Sequence, residues 1–232
     1  MNRFLEWLGE HEAGLLLTLV AIAAGVWLFG ALASDVGEGE TRNFDTRILL
    51  SMRRPGDLAP IGPPGVVEAA RDITALGSMV VLGILTFSTA IFLTLDGKAR
   101  LALFLAVSIS AGAVLSLLLK DAFDRPRPEI VPHAAYASNS SFPSGHSMMA
   151  ALTYMTLGAM LAADHKRKRL KSFFLLIPAL LVLLIGVSRV YLGVHWPTDV
   201  LAGWTAGGTW ALISLLVVKR LQRRQTLEPE ET

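Results

Sequence analysis

The chain has 232 residues, of which 53% are hydrophobic and only 17% are charged, and its mean hydropathy is +0.52. Soluble domains are about 45–50% apolar and about 25% charged, so this composition indicates a membrane-embedded protein. The net charge of +2 offers no basic stripe for nucleic acid, and the lack of cysteine excludes disulfides and thiol nucleophiles. We expect one membrane domain over residues 1–232.

Six hydrophobic stretches approach the length of about 20 apolar residues that a helix needs to cross a bilayer. Lys, Arg, Asp and Glu avoid their interiors, which argues against an ion channel or a proton-coupled carrier. The pattern predicts an all-α integral membrane bundle of six transmembrane helices. The predicted spans are 14–33, 79–95, 101–119, 147–163, 173–187 and 200–218.

The first span also has a feature of a cleavable signal. The Ala-Leu-Ala sequence at 31–33 resembles a signal-peptidase site. The apolar run is longer than the usual h-region of about 7–15 residues, and the preceding segment has one basic residue, Arg3, against three glutamates. We therefore expect an uncleaved anchor, with a cleaved signal peptide as the alternative.

The segments between and after the spans are polar. Residues 34–78 contain several prolines and mixed charge, and they are predicted to form an extracytoplasmic loop with a short interfacial helix at 66–75. The tail at 222–232 is polar and acidic at its end, so we expect it to be disordered.

Three polar clusters stand at the ends of hydrophobic stretches and supply cations, two imidazoles and a carboxylate. The first is Lys120 with Arg127 and Pro128; the second is Pro143, Ser144, Gly145 and His146; the third is Ser188, Arg189, His195 and Asp199. If the N-terminus lies inside, the inner segments hold more than half of the 21 Lys and Arg residues. We then expect both termini in the cytoplasm and all three clusters at the outer face.

The cations of these clusters suit a phosphate. Arg127 and Arg189 can each offer a two-pronged fork to phosphate oxygens, and Lys120 adds a compact charge. A single such residue is more often an interfacial side chain that reaches toward water. Arg125 is ambiguous, because it can pair with Asp124 or Asp121 or can reach a second phosphate of the substrate.

The second cluster directly precedes a hydrophobic helix, and helix N-termini present unpaired N–H groups that bind anions. Gly145 allows close approach of the backbone, and the Ser144 hydroxyl can donate to the anion or cap the helix. His146 would then lie beside the anion, where it can act as a general acid. Taken alone, this tetrapeptide is equally typical of an ordinary helix cap.

His195 and Asp199 lie four residues apart, about one helical turn. A carboxylate that accepts a proton from one imidazole nitrogen leaves the other free to attack. The surrounding cations disfavour a metal ion at His146, His195 and Asp199, so we expect hydrolysis without a metal or cofactor. The other histidines have no matching partners and are expected to be polar anchors; they are His11, His133 and His165.

The spacings K-x6-R-P, P-S-G-H and S-R-x5-H-x3-D resemble the signature of the type-2 phosphatidic acid phosphatase superfamily, in its bacterial membrane branch. That family shares its core with bacterial acid phosphatases and vanadium haloperoxidases. Phe44-Asp45 and residues 72–78 are a weaker resemblance to it. The resemblance implies that His195 attacks phosphorus to form a phosphohistidine, Asp199 orients it and His146 is the acid. It assigns phosphate binding to Lys120, Arg127, Ser144, Gly145 and Arg189.

The expected function is a lipid phosphatase of the bacterial cytoplasmic (inner) membrane, because six spans argue against the soluble haloperoxidases. Expected substrates are phospholipids or polyprenyl phosphates, such as undecaprenyl pyrophosphate, phosphatidylglycerol phosphate, phosphatidic acid or diacylglycerol pyrophosphate. The alternatives are a lipid A phosphatase, a lipid phosphotransferase, or a protein that binds or translocates lipid phosphates without cleaving them. The sequence does not predict an oligomeric state.

Overall fold

The computed structural model describes residues 2–136 and 140–227, which form eight α-helices. In chain order they are α1 Asn2–Glu38, α2 Arg42–Ser51, α3 Pro64–Ala75, α4 Met79–Leu95, α5 Ala99–Phe123, α6 Gly145–Asp164, α7 Lys168–Tyr191 and α8 Pro197–Leu227. The six predicted spans lie within α1 and α4 to α8, and α3 confirms the short helix predicted at 66–75. The all-α class is therefore confirmed.

Two predicted segments differ from the structure. Residues 34–78 are largely helical rather than a loop. Helix α1 continues to Glu38, and α2, which the sequence analysis did not predict, follows it. Leu49 of α2 is fully buried with Val190 and Val200, which explains why this polar helix is ordered. Helix α8 continues to Leu227, into the tail for which the sequence predicts disorder from 222 onward; residues 228–232 lie outside the described residues.

Within the described part of the chain, four helices are long and apolar enough to cross a membrane: α1, α5, α7 and α8. A fifth span results if α3 and α4, which are bent by 44° at their junction, count as one. Helix α6 does not join this set. It packs against α4, α5, α7 and α8 and buries Thr153 and Thr156, so much of its surface faces protein rather than lipid. A count of six crossings therefore remains a prediction.

Small residues at 202–208 bring α6 and α8 close together. A Cβ atom on Gly203 would lie 2.7 Å from the Ser144 carbonyl oxygen, and one on Gly207 would lie 2.3 Å from that of Met148. The backbone N–H of Ser144 also donates to the Asp199 carbonyl oxygen at 2.9 Å. These contacts fix the second cluster beside the third.

Two further segments lie beside the clusters: the end of α7 and the α3–α4 bend. Arg53, in the segment after α2, is buried and donates to the carbonyl oxygens of Tyr191 (2.8 Å) and Val190 (3.2 Å), which caps the end of α7. Gly77, at the α3–α4 bend, lies against His146: a Cβ atom there would be 3.5 Å from the His146 Cβ. The α3–α4 bend and the end of α7 therefore border the clusters.

Candidate active site

The three clusters converge at one end of the helix bundle. The first begins with Lys120 in the last turn of α5 and continues past its end, the second begins α6, and the third joins α7 to α8. The His146 imidazole interacts electrostatically with residues of all three clusters: Lys120, Arg127, Arg189 and His195. The order of spans and clusters along the sequence predicts that the clusters meet at one membrane face, and the structure brings residues of all three together.

His195 lies between Asp199 and Arg127 and is only 1% exposed. Its Nδ1 atom is 3.4 Å from Asp199 Oδ2 and 3.4 Å from Ser141 Oγ. Its Nε2 atom is 3.2 Å from an Arg127 guanidinium nitrogen. The Nδ1 side is therefore held by the carboxylate, and the Nε2 side faces a cation that can bind phosphate.

The environment keeps the His195 imidazole uncharged at neutral pH. Burial, aided by the Arg189 and Arg127 cations, lowers the pKa of His195 to about 3, although Asp199 acts in the opposite direction. Burial also lowers the pKa of Arg127 from its ordinary value. A neutral imidazole has a free lone pair, which is the form that a nucleophile requires.

Lys120 and Arg127 come together on one backbone oxygen. Lys120 Nζ donates to the Ser140 carbonyl at 2.7 Å, and Arg127 Nη2 donates to the same oxygen at 3.4 Å. A Cβ atom on Gly145 would lie 3.3 Å from Lys120 Cε. Glycine at this position therefore leaves space for the lysine beside the start of α6.

Arg189 is 3% exposed and reaches from α7 to the α3–α4 bend. Its Nη1 atom donates to Thr74 Oγ1 at 3.2 Å, whereas its Nε–H has no hydrogen-bond partner among the described residues. A buried N–H group without an acceptor is costly, and a bound phosphate oxygen would satisfy it. Ser188, the adjacent residue, donates to the Ile185 carbonyl instead and does not join the cluster.

Ser144 is the N-cap of α6, as one of the two sequence interpretations predicts. Its Oγ accepts hydrogen bonds from the backbone N–H of Ser147 at 3.4 Å and from the Ser147 hydroxyl at 2.9 Å. Helix α6 begins at Gly145, so the N–H groups of its first turn lie at the clusters. Phosphate binding by Ser144 and Gly145 remains a prediction.

Arg125 does not have the partners that the sequence suggests. Its guanidinium bridges two carboxylates, with Nη1 at 2.6 Å from Asp199 Oδ1 and Nη2 at 2.8 Å from Asp45 Oδ2. The prediction that it pairs with Asp124 or Asp121 is therefore wrong. Both terminal nitrogens of the guanidinium donate to buried carboxylates, so a contact between Arg125 and a second substrate phosphate is not supported.

Sequence reasoning gave no role to three residues of this region. Asp45 is fully buried, and Thr198 donates to it through both its backbone N–H (2.9 Å) and its hydroxyl (2.7 Å). Ser141 donates a very short hydrogen bond to Asp199 Oδ2. Only the weak resemblance around Phe44-Asp45 pointed to any of them, since no local pattern links residues so far apart in the chain.

His133 and His165 lie apart from this network, as predicted. His133 Nε2 is 2.7 Å from the Pro128 carbonyl oxygen, and His165 Nδ1 is 2.8 Å from that of Leu161. The side chain of His11 is outside the described residues. Over 2–136 and 140–227, no group of three or more His, Asp or Glu side chains is arranged to hold a metal ion.

Comparisons with known proteins agree with this geometry. The PAP2 superfamily matches residues 101–223. The chain is 35% identical over 153 residues to phosphatidylglycerophosphatase B of Bacillus subtilis, covering 63% of this chain and 72% of that protein. It is 29% identical over 205 residues to lipid A 1-phosphatase of Rhizobium etli, covering 74% and 82%.

The fold is also similar to a solved structure. A transmembrane PAP2 type phosphatidylglycerolphosphate phosphatase from Bacillus subtilis superposes with a TM-score of 0.74 at 26% identity, over 88% of this chain and 96% of that one. The match of the family to more than half of the chain includes all three clusters. The chain is therefore a multi-pass membrane protein that belongs to the PAP2 superfamily.

Proposed function

We propose that this PAP2 membrane phosphatase hydrolyses the phosphate monoester or diphosphate of a lipid through a phosphohistidine on His195. The observation that carries the proposal is the placement of a neutral, buried imidazole between Asp199 and Arg127. Arg189 also interacts electrostatically with His195, and Lys120, Arg127 and Arg189 all interact with His146. This arrangement combines a nucleophile, its orienting carboxylate and a binding site for an anion.

The proposed reaction has two steps. The substrate phosphate binds to Lys120, Arg127 and Arg189 and to N–H groups at the start of α6. Burial and the nearby cations lower the pKa of the free His146 imidazole to about 3, so the mechanism requires the negative charge of the bound phosphate to favour its protonated form. The Nε2 lone pair of His195 then attacks phosphorus, and the P–O bond to the leaving group breaks as protonated His146 donates its proton to the departing oxygen. In the second step, water attacks the phosphohistidine, His146 accepts its proton, and inorganic phosphate leaves.

The cations would supply the electrostatic stabilisation that phosphoryl transfer requires. They neutralise the charge on the phosphate oxygens without a metal ion. We therefore propose metal-independent hydrolysis, with activity that is unchanged when a chelator is present.

An apolar groove between α4 and α5 supports a lipid substrate. It comprises cavities of about 430 and 320 Å³, and its lining extends from Met79 at the start of α4 to Leu95 at its end. Its Met79 end is two residues from Gly77, which lies against His146. An acyl or prenyl chain in this groove would keep its phosphate at the clusters and its tail among apolar side chains.

The proposed substrates are undecaprenyl pyrophosphate, phosphatidylglycerol phosphate and phosphatidic acid. Relatives named for phosphatidylglycerol phosphate and for lipid A support a lipid phosphate but do not select one. A lipid A phosphatase is therefore the second candidate, and phosphoryl transfer to another lipid is a variant of the same chemistry. A lipid-phosphate binding protein is the non-enzymatic alternative.

Phosphate release from purified protein separates these possibilities. The panel contains undecaprenyl pyrophosphate, phosphatidylglycerol phosphate, phosphatidic acid and lipid A in detergent, each with EDTA. We expect release by the wild type and none by His195→Ala. Equal release by both proteins would refute the proposed nucleophile, whereas binding without release would identify a binding protein.

We further propose that both termini are cytoplasmic and that the site opens to the outer side of the membrane. Loop charge supports this orientation, because five of the six residues at 166–171 are Lys or Arg. The chain lacks cysteine, so single cysteines report topology without background. An impermeant maleimide added to intact cells should label Asp57→Cys but not Lys168→Cys. The reverse pattern would contradict the orientation.

A further inference from the structure

The Asp199 carboxylate is surrounded by donors other than His195. Oδ1 accepts from Arg125 at 2.6 Å, and Oδ2 accepts from the backbone N–H of Trp196 at 2.8 Å and from Ser141. By comparison, the His195 Nδ1 contact is long, at 3.4 Å. The orientation of the carboxylate is therefore set mainly by its other partners, and Arg125 is the only one of these that is charged.

Arg125 is held in turn by Asp45, which contacts the guanidinium nitrogen that does not face Asp199. The Asp45 carboxylate is fully buried and is 2.8 Å from Arg125 Nη2, while Thr198 donates to both of its oxygens. Thr198 also accepts from Arg125 Nη1 at 2.9 Å. Asp45 comes from α2 and Asp199 from α8, so this bridge joins a helix that sequence analysis did not predict to the catalytic turn.

We propose that Asp45 and Arg125 are positioning residues that fix the orientation and the effective charge of Asp199. This inference rests on the proposed role of His195 as the nucleophile. Attack on phosphorus places positive charge on the imidazole, and the facing carboxylate stabilises that charge. Asp45 and Arg125 neutralise each other, so the three groups together leave one uncompensated negative charge for His195.

The alternating charges of Asp45, Arg125 and Asp199 explain why both Asp45 and Arg125 are needed. Without Asp45, the Arg125 guanidinium would offset the charge of Asp199, and the imidazolium would lose its counter-charge. Without Arg125, two buried carboxylates would remain close together without a cation between them. Lysine cannot substitute, because a single ammonium lacks the planar fork that contacts two separate carboxylates.

The decisive experiment compares Asp45→Asn, Arg125→Lys, Arg125→Gln and the double variant Asp45→Asn/Arg125→Gln in detergent. Farnesyl diphosphate and phosphatidic acid are the probes, with kcat and KM measured for each. Each single variant should lose about 10- to 100-fold in kcat, the range for outer-shell partners of metal-bound histidines. KM should change less than threefold, because neither residue contacts the phosphate. The double variant should lose no more than the worse single variant, since the residues act through one carboxylate.

Asp57→Asn is the matched control. Asp57 forms an ion pair with Arg54 at the same 2.8 Å distance, but both side chains are more than half exposed. Its activity should equal that of the wild type. The melting temperature in detergent is measured for every variant.

Thr198→Val is a milder variant that removes only the hydroxyl between Asp45 and Arg125. It should also lower kcat.

Rapid-quench measurement of phosphoenzyme formation separates positioning from general stability. We expect slower formation of the phosphohistidine in folded Asp45→Asn. An unchanged kcat in folded Asp45→Asn and Thr198→Val would overturn the positioning role. Full activity in the His195→Ala variant would instead refute the proposed function of His195 as the nucleophile, so the two failures are distinguishable.

Discussion

Replacement of Asp199 by asparagine tests the orienting carboxylate with a change of one atom. Asp199 Oδ1 accepts from Arg125 at 2.6 Å, and Oδ2 faces the N–H of Trp196 at 2.8 Å, the Ser141 hydroxyl and His195 Nδ1. Asparagine has one acceptor oxygen, so its NH2 group must face donors on one of these two sides. The carboxylate charge beside the imidazole is lost as well.

The expected loss is large. The corresponding change in a serine protease triad lowers kcat about 10⁴-fold, because the imidazole takes the wrong tautomer. This equals about 5 kcal/mol of transition-state stabilisation. Loss of one of the two carboxylate partners of the partly buried Arg125 should also lower the free energy of unfolding, although Arg125 still pairs with Asp45.

Phosphate release and thermal unfolding in detergent measure the two effects separately. Asp124→Asn is the control: Asp124 is exposed and has φ of 38°, a left-handed conformation that asparagine adopts readily. We expect it to retain wild-type kcat. A folded Asp199→Asn protein with kcat within threefold of the wild type would refute this account of how His195 is oriented.

Further predictions concern the pKa of His195, helix packing, anion binding and metal ions. NMR of labelled histidine should show that His195 stays neutral from pH 8 to pH 5, because burial lowers its pKa to about 3; titration near the ordinary value of about 6.5 would contradict this. Gly207→Ala should lower stability by about 1–3 kcal/mol, since its Cβ would lie 2.3 Å from the Met148 carbonyl oxygen, whereas Gly208→Ala has nothing within 4 Å and should not; equal melting temperatures would argue against close packing. Arg189→Lys should lower kcat/KM about 10- to 100-fold, because a charged hydrogen bond is worth about 1.5–3 kcal/mol; unchanged kcat/KM would exclude Arg189 from the site. EDTA should leave phosphate release unchanged, and loss of activity that a divalent ion restores would refute the metal-free mechanism.

The positions of the long helices and of the clusters were predictable because both depend on local sequence. Hydrophobic length predicts each long helix, and the clusters fall where those helices end. The spacing of His195 and Asp199 predicts that they can touch, and the structure shows this contact even though α8 begins at Pro197, after His195. Two predicted spans do not qualify by themselves as membrane-crossing helices: α4 does so only together with α3, and α6 is surrounded by protein over much of its surface.

The partners of Arg125 were not predictable, because they depend on tertiary packing. Asp124 adjoins Arg125 in sequence, but the ion pairs connect Arg125 to Asp45 and Asp199, which are 80 and 74 residues away. Helix α2, which carries Asp45, has low hydropathy and was predicted as part of a loop. Its order derives from Leu49 and the Asp45 network, neither of which leaves a periodic pattern in the sequence.

The central claim is that His195 is the residue that attacks phosphorus. Incubation with lipid phosphate labelled with ³²P, followed by an alkaline quench within the first turnover, traps the covalent intermediate. The account predicts label that is stable to alkali and labile to acid on the peptide containing His195, with none in His195→Ala. Turnover without any labelled protein, or label on another residue such as Ser144, would contradict it.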